Sequence, residues 1–139
     1  MFRGLTSLQL FVDDVAEAER WYVDVLGMEP YFRSEDAGLP PGHVGFRVGD
    51  HQSELGVTDR NLAPDGLGTG PAGTVTYWQV DDVVAAFERL LSLGATGLQP
   101  PTELSRGFMI ASVVDPFGNV LGLRFDPNFS KDPGSAGGK

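Results

Sequence analysis

A chain of 139 residues, 41% of them hydrophobic, is long enough for one soluble domain with a substantial core. The absence of cysteine excludes disulfide bonds, thiolate metal sites and a cysteine nucleophile, and the net charge of −9 argues against nucleic acid and anionic membranes as partners. No apolar run approaches the length of a membrane span and the N-terminus lacks a signal-peptide pattern, so we expect a cytoplasmic protein.

An internal repeat organises the sequence. The stretch Val12-Asp13-Asp14-Val15 recurs as Val80-Asp81-Asp82-Val83, an offset of 68 positions (80 minus 12). In both copies a strand pattern precedes these four residues, and a helical pattern ending in Leu-Gly follows them. Two copies are too few for a solenoid, so the repeat predicts a pseudo-symmetric pair of modules.

The first copy illustrates how each element is predicted. Apolar residues alternate up to Val12, which indicates a half-buried strand, and then recur every three to four residues, which indicates an amphipathic helix over residues 15–26. Asp14 is placed to cap the N-terminus of this helix with Glu17 three residues on, and Gly27 to end it in the left-handed conformation. In the second copy Asp82 is the corresponding cap.

The complete prediction is the order β-α-β-β-β, present twice. Strands are predicted over residues 5–12, 28–34, 43–48, 52–57, 74–80, 97–99, 108–114 and 120–125, and helices over 15–26 and 83–93. Loops are predicted over residues 35–42 and 100–106, a glycine-rich and proline-rich linker over 58–73, and a flexible tail over 128–139. We therefore predict one α+β domain over residues 1–127, built from module 1 (about 1–57) and module 2 (about 74–127).

The repeated Val-x-Asp-Val and Leu-Gly signals, together with Asp115-Pro116-Phe117-Gly118-Asn119 before the last strand, resemble the vicinal oxygen chelate superfamily. This is the group of glyoxalase I, bleomycin-resistance proteins and extradiol dioxygenases, and the resemblance runs from about residue 5 to residue 125. It implies a pseudo-symmetric eight-stranded open barrel around a cleft, with the helices outside, and a homodimer. Because the superfamily contains lyases, dioxygenases, epimerases and non-catalytic drug binders, the fold alone does not decide the activity.

The resemblance also implies four positions for the metal ligands of the family. Counted from the motifs, and with the offset of 68 linking the modules, they are Ser7, Glu54, Val75 and Gly122. Valine and glycine side chains offer no donor to a divalent ion, and a lone carboxylate beside a hydroxyl holds one weakly. We therefore expect neither a metal nor another cofactor.

The two histidines, His43 and His51, do not rescue this site in the sequence. Residues three apart on a strand point to opposite sides, so His51 does not share a face with Glu54, and His51 also falls at a predicted turn. We interpret both histidines as solvated loop residues.

Alternation along the strands extends the predicted cleft-facing surface beyond the four positions. The predicted ligand-binding residues are Ser7, Gln9, Phe11, Gln52, Val75, Tyr77, Gln79, Gly122 and Arg124. This mixture of aromatic, amide and charged groups is typical of small-molecule pockets. In the alternative interpretation, Phe11 and Tyr77 only fill the barrel, the glutamines lie at a wet rim, and Arg124 pairs with Glu54 or a nearby aspartate.

Glu54 is the candidate catalytic residue. In a cleft without a metal it can act as a general base, and the alternative is a solvated carboxylate or a partner of Arg124.

The first functional hypothesis is a metal-free protein that sequesters a small organic molecule, such as a drug or natural product; the acidic surface suits a cationic one. The second is a lyase, isomerase or dioxygenase that uses an atypical metal site or Glu54 as base, and the third is a regulatory or structural dimer partner.

Overall fold

In the computed structural model, which describes residues 1–130, the chain forms two α-helices and eight strands. Residues 131–139, which hold most of the predicted tail, lie outside the described part. No helix within residues 1–130 combines the length and apolar character that a membrane span requires. The strands are β1 (Ser7–Val12), β2 (Phe32–Arg33), β3 (His43–Val48), β4 (Ser53–Asp59), β5 (Tyr77–Gln79), β6 (Thr96–Glu103), β7 (Met109–Val114) and β8 (Val120–Phe125), and the helices are α1 (Val15–Leu26) and α2 (Val83–Ser92).

The chain divides into two compact units between Leu67 and Gly68, within the predicted 58–73 linker. The first unit holds a four-stranded sheet with the order β1-β4-β3-β2, and the second an equivalent sheet with the order β5-β8-β7-β6. In each unit the first strand runs parallel to the last, and the other pairs are antiparallel. The α+β class and the repeated β-α-β-β-β module are confirmed.

Both helices begin at the aspartates that the sequence nominates. Asp14 is extended (φ −128°) and its carboxylate accepts from the backbone N–H of Glu17 at 3.0 Å, which satisfies one of the free donors of the first turn of α1. Asp82 does the same for Ala85 at 3.0 Å in α2. Gly27 has the left-handed φ of 68° that ends α1, and its N–H donates to the carbonyl of Val23.

Each helix covers one face of its own sheet. In α1 the buried residues are Ala18 and Tyr22, and this helix contacts β3 and β4. The sheet residues that are buried on the same side alternate along the strands, as period two requires. They are Leu10, Val12, Val44, Phe46, Leu55 and Val57 in the first unit, and Ala111, Val113, Leu121 and Leu123 in the second. Burying each large apolar side chain among them contributes about 1.5–3 kcal/mol, so this face of each sheet is committed to the core.

The edge strands depart most from the prediction. β6 continues to Glu103, whereas residues 100–106 are predicted as a loop. Pro100 and Pro101 are tolerated because β6 pairs only with β7, and the register shifts on both sides of Gln99. The second predicted strand shrinks to the two residues of β2.

Strand β4 lies further towards the C-terminus than predicted, and this brings Thr58 into the sheet. It begins at Ser53 and ends at Asp59, two residues beyond the predicted end. Thr58 continues the parallel pairing with Phe11 of β1, and the N–H of Asp59 donates to the carbonyl of Gly42 at 2.7 Å. Thr58 is therefore a strand residue, although it is predicted to open the linker.

The two caps give a matched test of the repeat. Asp14→Ala and Asp82→Ala each remove a carboxylate that accepts from the first turn of a helix, so each should lower the free energy of unfolding by about 1 kcal/mol. Chemical denaturation of both variants measures this. Asp14→Asn is the control, because asparagine caps about as well as aspartate and should retain the wild-type value. Equal stability of the alanine variant and the wild type would contradict the capping role.

Candidate functional site

In the first unit, polar side chains collect on the face of the sheet that is turned away from α1. Cross-strand pairs fix their positions: Ser7 lies beside Glu54, and His43 lies beside Thr58. Tyr31, which precedes β2, reaches the same face through its contact with Glu54. We call this surface the polar face; its residues are Ser7, Gln9, Phe11, Tyr31, His43, Gly45, Arg47, Glu54, Gly56 and Thr58.

A chain of hydrogen bonds crosses the polar face from β1 to β3. The amide nitrogen Nε2 of Gln9 donates to Ser7 Oγ at 3.2 Å, and Gln9 Oε1 accepts from the hydroxyl of Thr58 at 2.8 Å. Thr58 Oγ1 also lies 2.9 Å from Nδ1 of His43. Thr58 is only 7% exposed, so its hydroxyl is fixed between an amide and an imidazole.

The orientation of the Gln9 amide sets the tautomer of His43. With Gln9 Oε1 accepting the hydroxyl proton of Thr58, Nδ1 of His43 carries the hydrogen that Thr58 Oγ1 accepts; with the amide reversed, the Thr58 hydroxyl donates to Nδ1 and the ring hydrogen lies on Nε2. The second ring nitrogen, Nε2, lies 3.6 Å from Oε2 of Glu54. A ring that is protonated on both nitrogens turns this contact into an ion pair.

Glu54 is held from the other side by Tyr31. The phenol of Tyr31 donates to the same oxygen, Oε2, at 2.9 Å, and the guanidinium of Arg47 lies 4.4 Å from the centre of the tyrosine ring. Partial burial, the hydrogen bond to Glu54 and the negative charge of Glu54 raise the pKa of Tyr31 above its ordinary value, and Arg47 opposes this. The Glu54 side chain is 18% exposed, so this acid is a half-buried, partnered group.

Two glycines make room for these side chains. Gly45 and Gly56 are cross-strand partners in the middle of the polar face. A Cβ atom on Gly56 would lie 2.7 Å from Cδ of Gln9, and one on Gly45 would lie 2.7 Å from Oε2 of Glu54 and 3.0 Å from the ring of Tyr31. Real Cβ atoms do not approach so closely, so side chains at these two positions would collide with their neighbours. We call the space over Gly45 and Gly56, which is occupied by Gln9, Glu54 and Tyr31, the trough.

The structure corrects the interpretation of one histidine and keeps that of the other. His43 is not a solvated loop residue: it opens β3, its side chain is 25% exposed, and Thr58 holds it. His51 lies exposed in the turn between β3 and β4, as predicted. The sequence contained a signal for this position of His43. Alternation along β4 puts Thr58 on the same side as Glu54 and Gly56, and the hairpin between β3 and β4 pairs Thr58 with His43.

Gln52, predicted on the same face as Glu54, lies in the turn before β4 instead. Its φ is 55°, its backbone N–H donates to the carbonyl of Gly49 at 3.1 Å, and its Nε2 donates to the same carbonyl at 2.9 Å. The prediction of a strand position for Gln52 is therefore wrong, because the turn needs a residue with positive φ before the ladder begins.

The equivalent face of the second unit carries two aromatic side chains, Tyr77 and Phe108. Tyr77 of β5 pairs with Gly122 of β8, and a Cβ on this glycine would lie 2.7 Å from both Tyr77 Cδ1 and Val75 Cγ1. Arg124, two residues along β8, lies over the ring of Phe108 at 5.1 Å from its centre. We call Val75, Tyr77, Phe108, Gly122 and Arg124 the aromatic face. Val75 belongs to the predicted strand over residues 74–80, but β5 begins only at Tyr77, and Val75 is 38% exposed.

Gln79 is on the same side of β5, but its amide is engaged by the backbone. Its Nε2 donates to the carbonyl of Asp126 at 3.2 Å, and its Oε1 accepts from the N–H of Asp126 at 3.0 Å. The side chain thus continues the ladder beyond the end of β8, which is a structural role.

The register shows that the two modules are not related by one constant offset. Gln9 pairs with Gly56, and Tyr77, which lies 68 positions after Gln9 (77 minus 9), pairs with Gly122. Gly122 therefore corresponds to Gly56, and the predicted equivalence of Gly122 with Glu54 is wrong by two residues.

The residue that corresponds to Glu54 is Val120. The sequence contains the signal, because Glu54-Leu55-Gly56 matches Val120-Leu121-Gly122. The shift arises because the second module has two fewer residues between its first and last strands. A shift of two preserves the side of the sheet, so the predicted faces hold although the pairing of positions does not.

The metal positions of the family do not fit a divalent ion. Glu54 is the one strong metal donor among Ser7, Glu54, Val75 and Gly122. The register makes Val120 the equivalent of Glu54 in the second module, and its side chain has no donor atom for a metal. Throughout residues 1–130, no group of three or more His, Asp or Glu side chains is arranged to hold a metal.

Paired β-α-β-β-β modules, each with a four-stranded sheet and a helix on one face of it, define a class of proteins. The sequence model of the Glyoxalase/Bleomycin resistance protein/Dioxygenase superfamily matches residues 4–123. The chain belongs to this superfamily, so the resemblance seen in the sequence is confirmed. A search of curated proteins returned no significant match.

Solved structures share the fold. A glyoxalase-related enzyme from Fulvimarina pelagi is 21% identical, with a TM-score of 0.73 over 93% of this chain and 92% of that one. A superfamily member from Sphaerobacter thermophilus is 25% identical, with a TM-score of 0.70 and coverage of 90% and 98%. A family enzyme from Burkholderia phytofirmans is 20% identical, with a TM-score of 0.69 and coverage of 88% and 98%.

Gly56→Ala tests the trough. The added methyl group collides with Gln9, so we expect a loss of about 1–3 kcal/mol in the free energy of unfolding, measured by chemical denaturation. Gly68→Ala is the matched control: no atom lies within 4 Å of its Cβ position, and it should be neutral or stabilising by up to about 1 kcal/mol. Combining Gly56→Ala with Gln9→Ala should recover part of the loss; a strictly additive double variant would contradict the collision.

Tyr31 gives a pH-dependent test. Its raised pKa means that its hydrogen bond to Glu54 contributes stability that is complete below the ordinary value of 10.0 and is lost as the pH rises through the folded-state pKa. Tyrosinate absorbance, with Tyr31→Phe to identify the transition, should show ionisation above 10.0. In Glu54→Gln the ionisation should move down towards 10.0, since the charge is removed. An unchanged transition in Glu54→Gln would contradict the contact.

Proposed function

We propose that this chain is a small-molecule-binding member of the superfamily that sequesters an organic compound such as a drug or natural product. The observation that carries the proposal is the hydrogen-bonded chain of the polar face, which runs from Ser7 through Gln9 and Thr58 to His43. His43 in turn lies 3.6 Å from Glu54. A sheet that needs only one buried face for its core has no structural need for such a network on the other face.

Preorganisation of the polar face supports binding. Side chains of Gln9 and Glu54 lie over Gly56 and Gly45, and Gln9, Thr58 and His43 are already held in place by hydrogen bonds. Fixed polar groups spend little conformational entropy when a ligand binds, and a few of them are enough to orient it. His43 Nε2 and Glu54 Oε2 lie 3.6 Å apart, which is close enough for one polar group of a ligand to contact both atoms.

The sheet faces of the two units offer different chemistry to an organic compound. The polar face supplies acceptors and donors, and the aromatic face supplies Tyr77, Phe108 and one cation. We propose that each face, within its own unit, provides groups for binding. We also propose that residues 1–127 act as one functional domain, that the protein is a cytoplasmic homodimer, and that it uses no cofactor.

A second candidate function is metal-free proton transfer. It is favoured by the contact of His43 Nε2 with Glu54 Oε2, which places an imidazole nitrogen and a carboxylate oxygen 3.6 Å apart, where both can reach one proton of a ligand. Compounds found to bind can be incubated in deuterated water and followed by NMR for exchange of an acidic C–H. Exchange that disappears in Glu54→Gln and in His43→Gln would favour an enzyme, whereas binding without exchange favours sequestration.

Thr58→Val tests the proposed function directly. Valine keeps the shape of threonine but removes the hydroxyl that joins Gln9 to His43, so compounds that stabilise the wild type in a thermal-shift screen should bind about tenfold more weakly by calorimetry. Thr102→Val is the matched control, because that hydroxyl only contacts the carbonyl of Pro100 in its own strand, and it should leave the Kd unchanged.

Two results would contradict the proposal. One is a screen without any compound that stabilises the protein, and the other is a set of confirmed ligands whose Kd does not change in Thr58→Val. Elemental analysis of the purified protein adds an independent check, since a stoichiometric divalent metal would overturn the assignment of a metal-free site.

A further inference from the structure

We propose that Arg124 is an anchor for the anionic group of an aromatic organic acid, most simply a planar aromatic carboxylate. This inference rests on the proposed binding function and specifies the chemical class of the ligand. It differs from the cationic ligand that the net charge of −9 suggests, because it follows from a local unpaired charge on the aromatic face rather than from the total.

The first observation is that the charge of Arg124 has no partner. Within residues 1–130 the Arg124 side chain forms no ion pair. Its Nε is buried without a hydrogen-bond partner, whereas its terminal nitrogens Nη1 and Nη2 keep solvent-accessible surface. Arginine binds carboxylates through charge-assisted hydrogen bonds, so these two terminal donors are the atoms that a ligand acceptor can reach.

The second observation concerns what surrounds Arg124. Its cross-strand neighbours are Ile110 and Gln79, and neither is an acid. Asp126, two residues further along the chain, has its Oδ1 engaged by the backbone N–H of Asn128 at 2.8 Å. The carboxylate of Asp126 thus closes a turn. Among residues 1–130 no acid pairs with Arg124, so its positive charge can attract an anionic ligand.

The third observation concerns the geometry of the guanidinium. Cζ of Arg124 lies over the ring of Phe108, 5.1 Å from its centre, which positions the group without neutralising it. The accessible Nη1 and Nη2 donors remain for a carboxylate, which arginine binds through two parallel hydrogen bonds.

Aromatic surface accounts for the rest of the proposed ligand. Tyr77 is 37% exposed, and its ring edge and Val75 fill the space that a side chain at Gly122 would take. An aromatic ring of a ligand can stack on such a surface while its carboxylate reaches Arg124. Gln79 does not compete for the carboxylate, because both ends of its amide are bound to Asp126.

A matched pair of probes tests the inference. 2-Naphthoate and 2-naphthamide share the ring system and differ in charge, so calorimetry of the full chain should give a Kd for naphthoate at least about tenfold lower than for naphthamide. Arg124→Met, which keeps an unbranched apolar stem and removes the guanidinium group with its charge, should abolish this preference. Arg124→Lys keeps the charge without the paired donors and should retain only part of it. Arg20→Met, on the exposed side of α1, is the control and should keep the full preference.

Several outcomes would overturn the inference: no measurable binding of naphthoate, equal affinity for the two probes, or a preference that survives in Arg124→Met. Circular dichroism and the Arg124→Lys variant separate a binding effect from a folding defect. Failure here is distinguishable from failure of the proposed function, because the latter is judged by Thr58→Val with ligands of any charge.

Discussion

The structure depends on the division of labour between the two faces of each four-stranded sheet. Side chains alternate along a strand, so packing one face on a helix fixes which residues are left on the other. In the first unit this commits Val12, Phe46 and Val57 to the core against Tyr22 of α1. The opposite face of this sheet does not pack on α1, and it carries the polar face with Gln9, Thr58 and Glu54.

The polar face and the aromatic face have diverged in chemistry although their backbones follow the same plan. Gln9 lies over Gly56 in the first unit, where it joins a polar network, and Tyr77 lies over Gly122 in the second, where it adds aromatic surface. In each case a glycine in the last strand makes the space that the first strand fills. Both modules thus share a glycine in the last strand, Gly56 or Gly122, and they differ in the first-strand side chain that lies over it, Gln9 or Tyr77.

The network also changes the meaning of Glu54. Considered alone, this carboxylate is the remnant of a metal site, but its Oε2 atom is shared by Tyr31 and His43. A carboxylate that already accepts one hydrogen bond and faces an imidazole is equipped to recognise a donor or to exchange a proton. Glu54 is the one strong metal donor among the four positions that the resemblance implies, and in this structure it accepts a hydrogen bond from Tyr31.

Much of the fold followed from local signals in the sequence. Periodicity and the aspartate caps determined α1 with its correct ends and most of α2, and alternation determined β3 and β8, because hydrophobic period and capping act over a few residues. The same alternation placed Ser7, Gln9 and Glu54 on one face. Tertiary structure decided what depends on register and on edge pairing: the two-residue shift between the modules, the continuation of β4 to Thr58, and the strand character of Pro100. It also brought together Tyr31, His43 and Glu54, which come from three separate segments, because only the pairing of β3 with β4 and the return of the chain before β2 make them neighbours.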